Sequence, residues 1–594
     1  MKTITTLWPI LFITLACADV ADEVIRFNMD AGGVPGAGGA GSNSGGTGGG
    51  GPCTAGAVRC ADGYEEVCGG SGLWITTNDR GECTVDPCVE ARRRRSYIGC
   101  EYWPVDLDNA IEVHREAPVN GRCAQEQYQV RDDIEVCISG DDLLGLCDPG
   151  RMCPEGFQCR RTSACILDAQ GSPFAIVVSN PSDTENVMVT LQDQAGQSHT
   201  QSLSPNELVK LFPGALGFAD SSVDRSSQGP RAYRLTSTAP IVAYQFNPLD
   251  NVGVFSNDGS LLIPDHALDT IYYALTLPTL NRRTGNPAQA GKNSYNGYMT
   301  IVGTAAGSTS VRVTLTAAVE AGPNVGRLGT DRTHDFTLNQ GDVLNLEAEG
   351  DGDLTGSRVE AIDGATKFAM FVGHEATVLT DGAGGQRLCC ADHVEEQLFP
   401  ASTWGTRFAI ARTEPRTDQN RRGTAPDMLR ILAQKPNTRV EFDPPVSGSC
   451  DTLDVGQFCE VFISQDTTIT ATLPVLVGHF LLSTDGRQGD PALAFAPPRE
   501  QFRDAYTFLV PDEYDNQYIS VAAGQFDTVL LDGRDISGGL SPIAGNWSGG
   551  RIEVQPGQHV LTCPQGCGLL VYGYSNAVSY LFAGGLDLEA ITVP

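Results

Sequence analysis

The feature that most constrains this chain is a block of about 100 residues that recurs along its C-terminal part. An apolar run closes each copy, at residues 240–245, 367–374, 474–479 and 569–574. A period of about 100 residues exceeds a propeller blade of about 40–50 residues and is typical of a β-sandwich with about seven short strands. The repeat therefore predicts four β units, at residues 172–290, 291–413, 425–511 and 512–594.

A proline signature joins each predicted unit to the next. Each copy has a proline, a large apolar residue four positions later, and an aromatic residue eight positions after the proline. The three copies are Pro264, Leu268 and Tyr272; Pro400, Trp404 and Phe408; and Pro498, Phe502 and Tyr506. Because proline cannot donate a hydrogen bond to a strand ladder, we expect it at a strand end, with the apolar residues anchoring neighbouring units.

The first 17 residues are typical of a signal peptide that ends in a lipid-attachment cysteine. Lys2 precedes an apolar stretch of about ten residues, which is too short to span a bilayer of about 30 Å. Residues 14–17 resemble the bacterial lipobox, so Cys17 is the predicted lipidated N-terminus. An ordinary cleaved signal peptide is the alternative. Residues 18–52 are rich in glycine and are predicted to form a flexible tether.

Cysteines characterise the next segment. The chain has 19 cysteines, and twelve of them lie in residues 53–166. A reduced cytosol has little use for so many thiols, and zinc would favour regularly spaced CxxC pairs. Residues 53–166 are therefore predicted to be a disulfide module in an oxidising compartment.

The remaining cysteines give local expectations. Cys450 and Cys459 would close one short loop, and Cys563 and Cys567 another. The adjacent Cys389 and Cys390 either bond each other or reach another strand, and a metal site with the following acidic and histidine residues is the other interpretation. In an oxidising compartment we expect disulfides.

The charge of the chain argues against nucleic acid as a partner. Asp and Glu total 72 and Lys and Arg total 40, which gives a formal net charge of -32. Such a surface repels phosphate backbones and anionic lipid headgroups. The chain is therefore expected to contact a membrane only through its N-terminal lipid.

A search for catalytic motifs in the sequence finds no GxSxG, HExxH, P-loop or GxGxxG after a strand. His374 and His479 occupy one position of the repeat, which Gln245 and Tyr574 fill in the other units. That equivalence indicates a structural polar site rather than a catalytic pair.

One acidic run is a candidate for a cation. Alternate residues of this run carry carboxylates, namely Glu347, Glu349, Asp351 and Asp353. On a strand they would share one face and could offer hard oxygen ligands to Ca²⁺, whereas the other interpretation is an exposed acidic loop. The sequence indicates no other cofactor.

Two stretches resemble the N-terminal domain family of IgG Fc-binding proteins. They are residues 240–264 and the segment CCADHVEEQLFPASTWGTRFA that begins at Cys389. The resemblance covers residues 231–585 and rests on structural rather than catalytic motifs. It implies an extracellular binding scaffold, which bacterial members carry as secreted or lipid-anchored proteins with a cysteine-rich preface. An antibody ligand is not carried over, since a free-living bacterium has little use for one.

These features predict an all-β fold of tandem β-sandwich-like repeats, preceded by a small disulfide-rich module and a Gly-rich tether. The predicted function is that of a non-enzymatic binding or adhesion lipoprotein, which faces outward from a bacterial cell envelope or is secreted if it is not lipidated. Its expected partner is an extracellular protein or glycan. The alternative is a secreted hydrolase acting on glycans, which carboxyls with a raised pKa clustered in one cleft would favour.

Overall fold

The computed structural model describes residues 58–61, 64–68, 74–76, 86–147, 153–249, 256–281, 294–381, 391–418, 423–446, 450, 452–484 and 488–591. In these ranges the chain is almost entirely β-strand, with one short α-helix, which confirms the all-β prediction. Cys17, the tether, Cys389 and Cys390 lie outside the described residues. Among the helices of these ranges, none has the length and apolar character that crossing a bilayer requires.

The N-terminal region combines short strands with the helix. These elements are β1 (Val58–Ala61), β2 (Tyr64–Cys68), β3 (Trp74–Thr76), α1 (Pro87–Arg93), β4 (Gly99–Tyr102), β5 (Ile111–Val113), β6 (Gln129–Ser139), β7 (Asp142–Leu146) and β8 (Gln158–Asp168). Helix α1 begins at Pro87 because the Asp86 carboxylate caps it, accepting the Cys88 N–H at 2.9 Å. The disulfide between Cys88 and Cys100 then ties α1 to β4.

Strands β5 to β8 form an antiparallel sheet with the order β5-β8-β6-β7. Its apolar cluster is small and separate from the main core. Three disulfides join residues of this region, namely Cys123–Cys165, Cys137–Cys153 and Cys147–Cys159. A sheet that buries so little apolar surface depends on such cross-links, which restrict the unfolded chain.

The strands of the first two units follow in chain order. The first unit contains β9 (Ala175–Ser179), β10 (Val187–Gln192), β11 (Ser198–Leu203), β12 (Leu208–Leu211), β14 (Arg234–Asn247) and β15 (Asp258–Leu261). Before β14 the chain also forms β13 (Ser227–Pro230), which pairs with Asp342–Glu347 of the second unit. The second contains β16 (Ile271–Tyr273), β17 (Leu280–Asn281), β18 (Ser294–Tyr295), β19 (Gly297–Val302), β20 (Ser308–Thr314), β21 (His334–Asn339), β22 (Asp342–Glu347), β23 (Arg358–Ala361), β24 (Ala369–Thr377) and β25 (Asp392–Gln397).

The last two units complete the chain. The third unit contains β26 (Gly405–Ile410), β27 (Thr417–Asp418), β28 (Gly423–Thr424), β29 (Asp427–Ala433), β30 (Thr438–Asp443), β31 (Thr452–Leu453), β32 (Phe458–Ile463), β33 (Thr467–Leu481) and β34 (Ala492–Phe495). The fourth contains β35 (Arg503–Val510), β36 (Asn516–Gly524), β37 (Leu530–Leu531), β38 (Arg534–Asp535), β39 (Ser541–Ile543), β40 (Trp547–Glu553), β41 (Gly557–Ser575) and β42 (Val578–Ala583).

Three of the four units are sandwiches of two antiparallel sheets that share one long strand, and the second unit has two separate sheets. In the first unit the long strand β14 belongs to the sheets β11-β10-β14-β4 and β12-β9-β14-β15. In the third unit β33 takes the same place, in the sheets β31-β30-β33-β26 and β32-β29-β33-β34. The fourth unit repeats the arrangement around β41, whereas the second divides the long strand into β23 and β24.

The first strand of each unit lies N-terminal to the first residue that the sequence predicted for that unit. Strands β16, β26 and β35 pair with the long strands of the units that follow them, although the predicted units begin at residues 291, 425 and 512. In the first unit this strand is β4, which pairs with β14. The disulfide sheet β5–β8 is therefore an insertion between the first and second strands of unit one, not a module that precedes it.

The proline signatures form the connections between units. A 3-10 turn follows each proline, at Asp265–Ala267, Ala401–Thr403 and Arg499–Gln501. The tyrosine hydroxyls of Tyr272 and Tyr506 accept a backbone N–H from three residues earlier, at 3.1 and 2.9 Å. Tyr102 in β4 does the same with the Gly99 N–H at 2.7 Å, which supports β4 as the equivalent strand of the first unit.

The last strands of the four units meet at the centre of the molecule. Strands β15, β25, β34 and β42 are buried along their whole length and pack against one another in a closed cycle. The units therefore surround a common axis. One continuous hydrophobic core includes residues of all four units, and the third unit has a further core of its own.

The four units form a ring around this axis. Hydrogen bonds join the fourth unit to the first, where no peptide segment connects them. The Tyr97 N–H donates to the Leu586 carbonyl at 3.2 Å, and the Leu588 N–H donates to the Arg95 carbonyl at 2.8 Å. The segment after β42 thus contacts the segment before β4. This contact joins the fourth unit to the first, as the proline signatures join the other neighbouring units. The four units therefore pack together as one assembly and are not separate domains joined by linkers.

Replacement of Leu476 by Asp tests the shared core. Leu476 in β33 is 2% exposed and belongs to the continuous core, so a buried carboxylate there is expected to cost several kcal/mol, on the order of the whole stability of a domain. We expect the four units to unfold cooperatively. Circular dichroism during heating measures this unfolding. The disulfide sheet β5–β8, with its own cluster, should still resist limited proteolysis.

Arg439→Asp is the control for this experiment, because Arg439 is exposed on β30. Its melting temperature should stay within about 1 °C of the wild type, since surface changes usually cost under about 0.5 kcal/mol. Identical melting and proteolysis of the two variants would contradict the assignment of buried and exposed strand faces.

Candidate functional site

The candidate acids of the predicted calcium loop do not come together. Glu349 pairs with Arg327 at the surface, and Asp353 pairs with the buried Arg430 at 2.8 Å. Asp351 is exposed. Only Glu347 is fully inside the protein, on β22, where its neighbours are other carboxylates. The four acids do not share one face, because β22 ends at Glu347 and the other three acids follow the strand.

The two histidines at the shared repeat position are buried in different units. His374 bonds the Pro278 carbonyl through Nε2 at 3.1 Å, and His479 bonds the Asp427 carboxylate through Nε2 at 2.8 Å. Burial lowers the pKa of His374 to about 4, so its ring is neutral at pH 7. The geometry places each ring as a hydrogen-bonding group inside its own unit.

The predicted local cysteine pairs are disulfides of the last two units. A disulfide joins Cys450 and Cys459 in the third unit, and another joins Cys563 and Cys567 within the long strand β41. Cys137, Cys147 and Cys153 lie close enough to hold a metal ion, but all three are in disulfides. A thiolate, which a metal would need, is therefore absent from that group.

A cleft of about 780 Å³ opens between the first unit and a loop of the fourth. Three rings form part of its lining. Phe174 stacks on Tyr233 with ring centroids 6.1 Å apart, and Phe218 meets Tyr233 edge-on at 5.9 Å. Phe212 and Leu216, in the turn after β12, also line the cleft and are only half-buried. A volume of this size and an aromatic lining are usual for ligand sites.

The turn that carries Phe212 and Leu216 holds its own shape. The Leu216 N–H donates to the Phe212 carbonyl at 3.0 Å, and the Phe218 N–H donates to the Pro213 carbonyl at 3.0 Å. Pro213 suits such a turn because its ring restricts φ. The apolar side chains are therefore presented by a folded turn and not by a loose loop.

Charged groups line the same cleft. Lys210 Nζ donates to Asp512 Oδ1 at 2.5 Å and to Glu513 Oε1 at 2.6 Å, which links the first unit to the fourth. Asp106 Oδ1 and Glu513 Oε2 are buried beneath the cleft surface, and among the described residues neither has a hydrogen-bond partner.

The carboxyls of the cleft hold protons more tightly than usual. Burial, with the negative charge of Asp220 added, raises the pKa of Asp106 well above its ordinary value. Burial also raises the pKa of Glu513 to about 7, although the Lys210 ammonium acts in the opposite direction. At neutral pH the cleft therefore offers both proton-donating and proton-accepting carboxyl groups.

A second group of carboxyls lies on the central axis. Asp258 on β15 accepts the N–H groups of Gly259 at 2.9 Å, Glu395 at 3.3 Å, Leu493 at 3.3 Å and Leu581 at 3.4 Å. These donors come from all four central strands. Burial raises the pKa of Asp258 well above its ordinary value, in spite of these hydrogen bonds.

The other axial acids share this environment. Asp392, Glu395, Glu396 and Asp490 are all fully buried, and burial raises the pKa of each. Of these residues the sequence pointed only to Asp392, as the acid of a possible metal site beside Cys389, Cys390 and His393, and the run at residues 392–396 is present in one of the stretches that carry the family resemblance. A charged run normally indicates a solvated surface, and only the meeting of four units buries this one.

The axial acids predict a stability that falls as pH rises. A carboxyl whose folded pKa is raised binds more protons in the folded than in the unfolded state, so its stabilisation is complete below about pH 4 and is lost as pH rises through the folded pKa. We expect the free energy of unfolding to fall by at least about 2 kcal/mol between pH 4 and pH 8. Urea titrations at several pH values measure this change.

Asp490→Asn should flatten that pH dependence, because it removes one titrating group that faces Asp392. Glu441→Gln is the matched control, since it also removes one carboxylate but from the exposed face of β30. Equal pH profiles for the two variants would mean that the axial carboxyls do not titrate in this range.

Three comparisons relate this geometry to known proteins. A family model described as IgGFc binding protein matches residues 258–573, inside the span 231–585 of the sequence resemblance. No curated protein matches the chain. A solved structure described as a tetra-tandem repeat in the extending region of a large adhesion protein covers 72% of this chain and 97% of its own, at 10% identity and a TM-score of 0.08.

Proposed function

The chain belongs to the IgGFc-binding protein family, and from this premise we propose that it is a non-enzymatic cell-surface protein that recognises an extracellular protein or glycan. The family is one of binding domains, and the matched residues include the long strands of the second and third units and most of the fourth unit. The matched motifs are buried strands and connections. Because these buried motifs are not accessible to a ligand, the binding surface lies on other residues of the protein.

The observation that carries this proposal is the aromatic cleft beside the first unit. Phe174, Tyr233 and Phe218 form a largely buried aromatic base beside the half-buried Phe212, and the carboxyl oxygens Asp106 Oδ1 and Glu513 Oε2 have no hydrogen-bond partner among the described residues. Rings combined with a few convergent polar atoms suit sugar rings as well as aromatic or basic peptide side chains. The cleft lies at a junction of units, so its shape depends on the assembled ring.

The half-buried Phe212 is the best residue for testing the cleft. The experiment screens the full chain against a panel of glycans and extracellular proteins, with an Fc fragment as one member. For a ligand found in this way, Phe212→Ala should weaken binding at least tenfold, about 1.4 kcal/mol, because the ring contributes apolar contact area. Titration calorimetry measures the affinities.

Phe526→Ala is the matched control, because Phe526 is 94% exposed on the fourth unit and outside the cleft. Its affinity should equal that of the wild type. If Phe526→Ala loses binding and Phe212→Ala keeps it, the ligand binds elsewhere and the assignment to the cleft is wrong.

A glycan hydrolase is the second candidate, and one observation favours it. Asp106 and Glu513 line one cleft and both have a raised pKa, which is the property a general acid needs near neutral pH. Incubation of bound glycans with the protein and detection of new reducing ends separates the two functions. Turnover that Glu513→Gln abolishes, while binding persists, would establish the enzyme; an intact glycan supports the binding protein.

We further propose that the protein is anchored to the outer side of a bacterial envelope by acyl chains on Cys17. The argument is the lipobox-like sequence, followed by the glycine-rich tether of residues 18–52, which would hold a globular body away from a membrane. Disulfides in the described structure agree with an oxidising compartment.

Cys17→Ser tests the anchor directly. Since several acyl chains are needed for stable attachment, the variant should leave the membrane fraction or accumulate with its signal peptide uncleaved. Fractionation and mass spectrometry of the N-terminal peptide report both results. A variant that stays in the membrane fraction like the wild type would contradict lipidation.

A further inference from the structure

Three carboxylates from separate elements meet inside the protein at the junction of the first two units. Asp108 precedes the disulfide sheet, Glu347 ends β22, and Glu375 lies in β24. One oxygen of each lies within 4.8 Å of the others, and all three side chains are buried. Like charges at this separation in a low-dielectric interior repel strongly unless protons or a cation neutralise them.

The guanidinium of Arg225 makes its contacts away from these carboxylates. The Arg225 backbone N–H donates to Asp108 Oδ2 at 2.7 Å, but its guanidinium lies 3.8 Å from Asp224 and donates to the Cys147 carbonyl at 3.5 Å. Asn345 Nδ2 also donates to Asp108 Oδ2, at 3.2 Å. These neutral donors orient Asp108 without cancelling its own charge.

In the part of the chain that the structure describes, two neutral oxygens beside the carboxylates have no hydrogen-bond partner. Asn296 is 9% exposed; its backbone N–H donates to Glu375 Oε2 at 2.5 Å and its Nδ2 donates to Glu347 Oε2 at 3.3 Å, so its amide is directed into the group. Its Oδ1 has no hydrogen-bond partner. Tyr298, two residues along the chain and fully buried, also has an unpartnered hydroxyl. Buried oxygens rarely lack a partner.

We propose that Asp108, Glu347 and Glu375, together with the side-chain oxygen of Asn296, form a Ca²⁺ site. Calcium takes oxygen ligands at about 2.3–2.6 Å, so ligands on opposite sides of the ion are about 5 Å apart, which matches oxygens within 4.8 Å of one another. Magnesium would require a tighter octahedron at about 2.0–2.1 Å. Rotation of the Asn296 amide by 180° exchanges its nitrogen and oxygen and presents Oδ1 to the ion.

The site has a structural consequence. Asp108 belongs to the first unit, whereas Glu347, Glu375 and Asn296 belong to the second, so the ion fastens one unit to the next. Millimolar extracellular calcium is sufficient for modules with dissociation constants of about 10⁻⁴–10⁻³ M. The ring would therefore be tightest outside the cell. This role is independent of the ligand that the aromatic cleft binds.

The test uses the full chain and Ca²⁺ itself as the probe. The protein is stripped with EGTA, and its melting temperature is measured alone, with Ca²⁺ and with an equal concentration of Mg²⁺. We expect Ca²⁺ at 100 times its dissociation constant to raise the melting temperature by roughly 3 °C and Mg²⁺ to raise it much less. Elemental analysis after dialysis against Ca²⁺ should find one ion retained per chain.

Glu347→Gln should abolish the response to Ca²⁺ yet melt no lower than the stripped wild type, because it removes one repelling charge. Glu349→Gln is the control, since Glu349 is only half-buried and pairs with Arg327; it should keep the full response. If Glu347→Gln does not fold, Asn296→Ala replaces it and should weaken Ca²⁺ binding at least tenfold.

Two results would overturn the site. One is a stripped wild-type protein whose melting temperature does not change with millimolar Ca²⁺ and that retains no ion, which would mean that protons alone neutralise the carboxylates. The other is a full Ca²⁺ response in Glu347→Gln, which would place the ion elsewhere.

Discussion

The structure depends on one buried carboxylate, that of Asp258, at the point where four units meet. Its two oxygens accept N–H groups from its own strand β15 and from β25, β34 and β42. Each of these donors would otherwise be a buried N–H without a partner, at a cost of about 1–3 kcal/mol. No apolar residue could satisfy them, because they converge on a single position. A polar group is thus the physical solution to packing four strands around one axis.

The same convergence makes the units depend on one another. The central strands are buried along their whole length and could not be exposed to water without leaving large apolar and charged surfaces. The ring is closed by hydrogen bonds between residues 95–97 and 586–588, so the two distant parts of the chain secure each other. Both candidate sites lie at junctions: the aromatic cleft between units one and four, and the carboxylate group between units one and two. Their geometry is therefore a property of the assembled ring.

The repeat and its connections were predictable because they are local. Pro264, Pro400 and Pro498 each begin a short 3-10 turn, since proline restricts the backbone and ends a strand wherever it stands. The first strand of unit one was not found, because the disulfide sheet separates β4 from the strands with which it pairs. Tyr102 was the available signal: it repeats the hydrogen bond of Tyr272 and Tyr506, but it lacks the proline that marks the other copies.

By itself, the sequence determined the class of fold, the approximate period of the units, the cysteine-rich segment and the family, because these depend on residue type and spacing along the chain. Only the tertiary structure decided which acids are buried. Glu347 and Glu349 are neighbours on one predicted face, yet one lies against Asp108 and Glu375 inside the protein and the other pairs with Arg327 at the surface. Whether a side chain is buried depends on which other parts of the chain pack against its strand. Contacts between residues about 200 positions apart cannot be read from the local pattern of apolar and polar residues. For that reason the cleft, the axial carboxyls and the proposed calcium site appear only when the four units close into a ring.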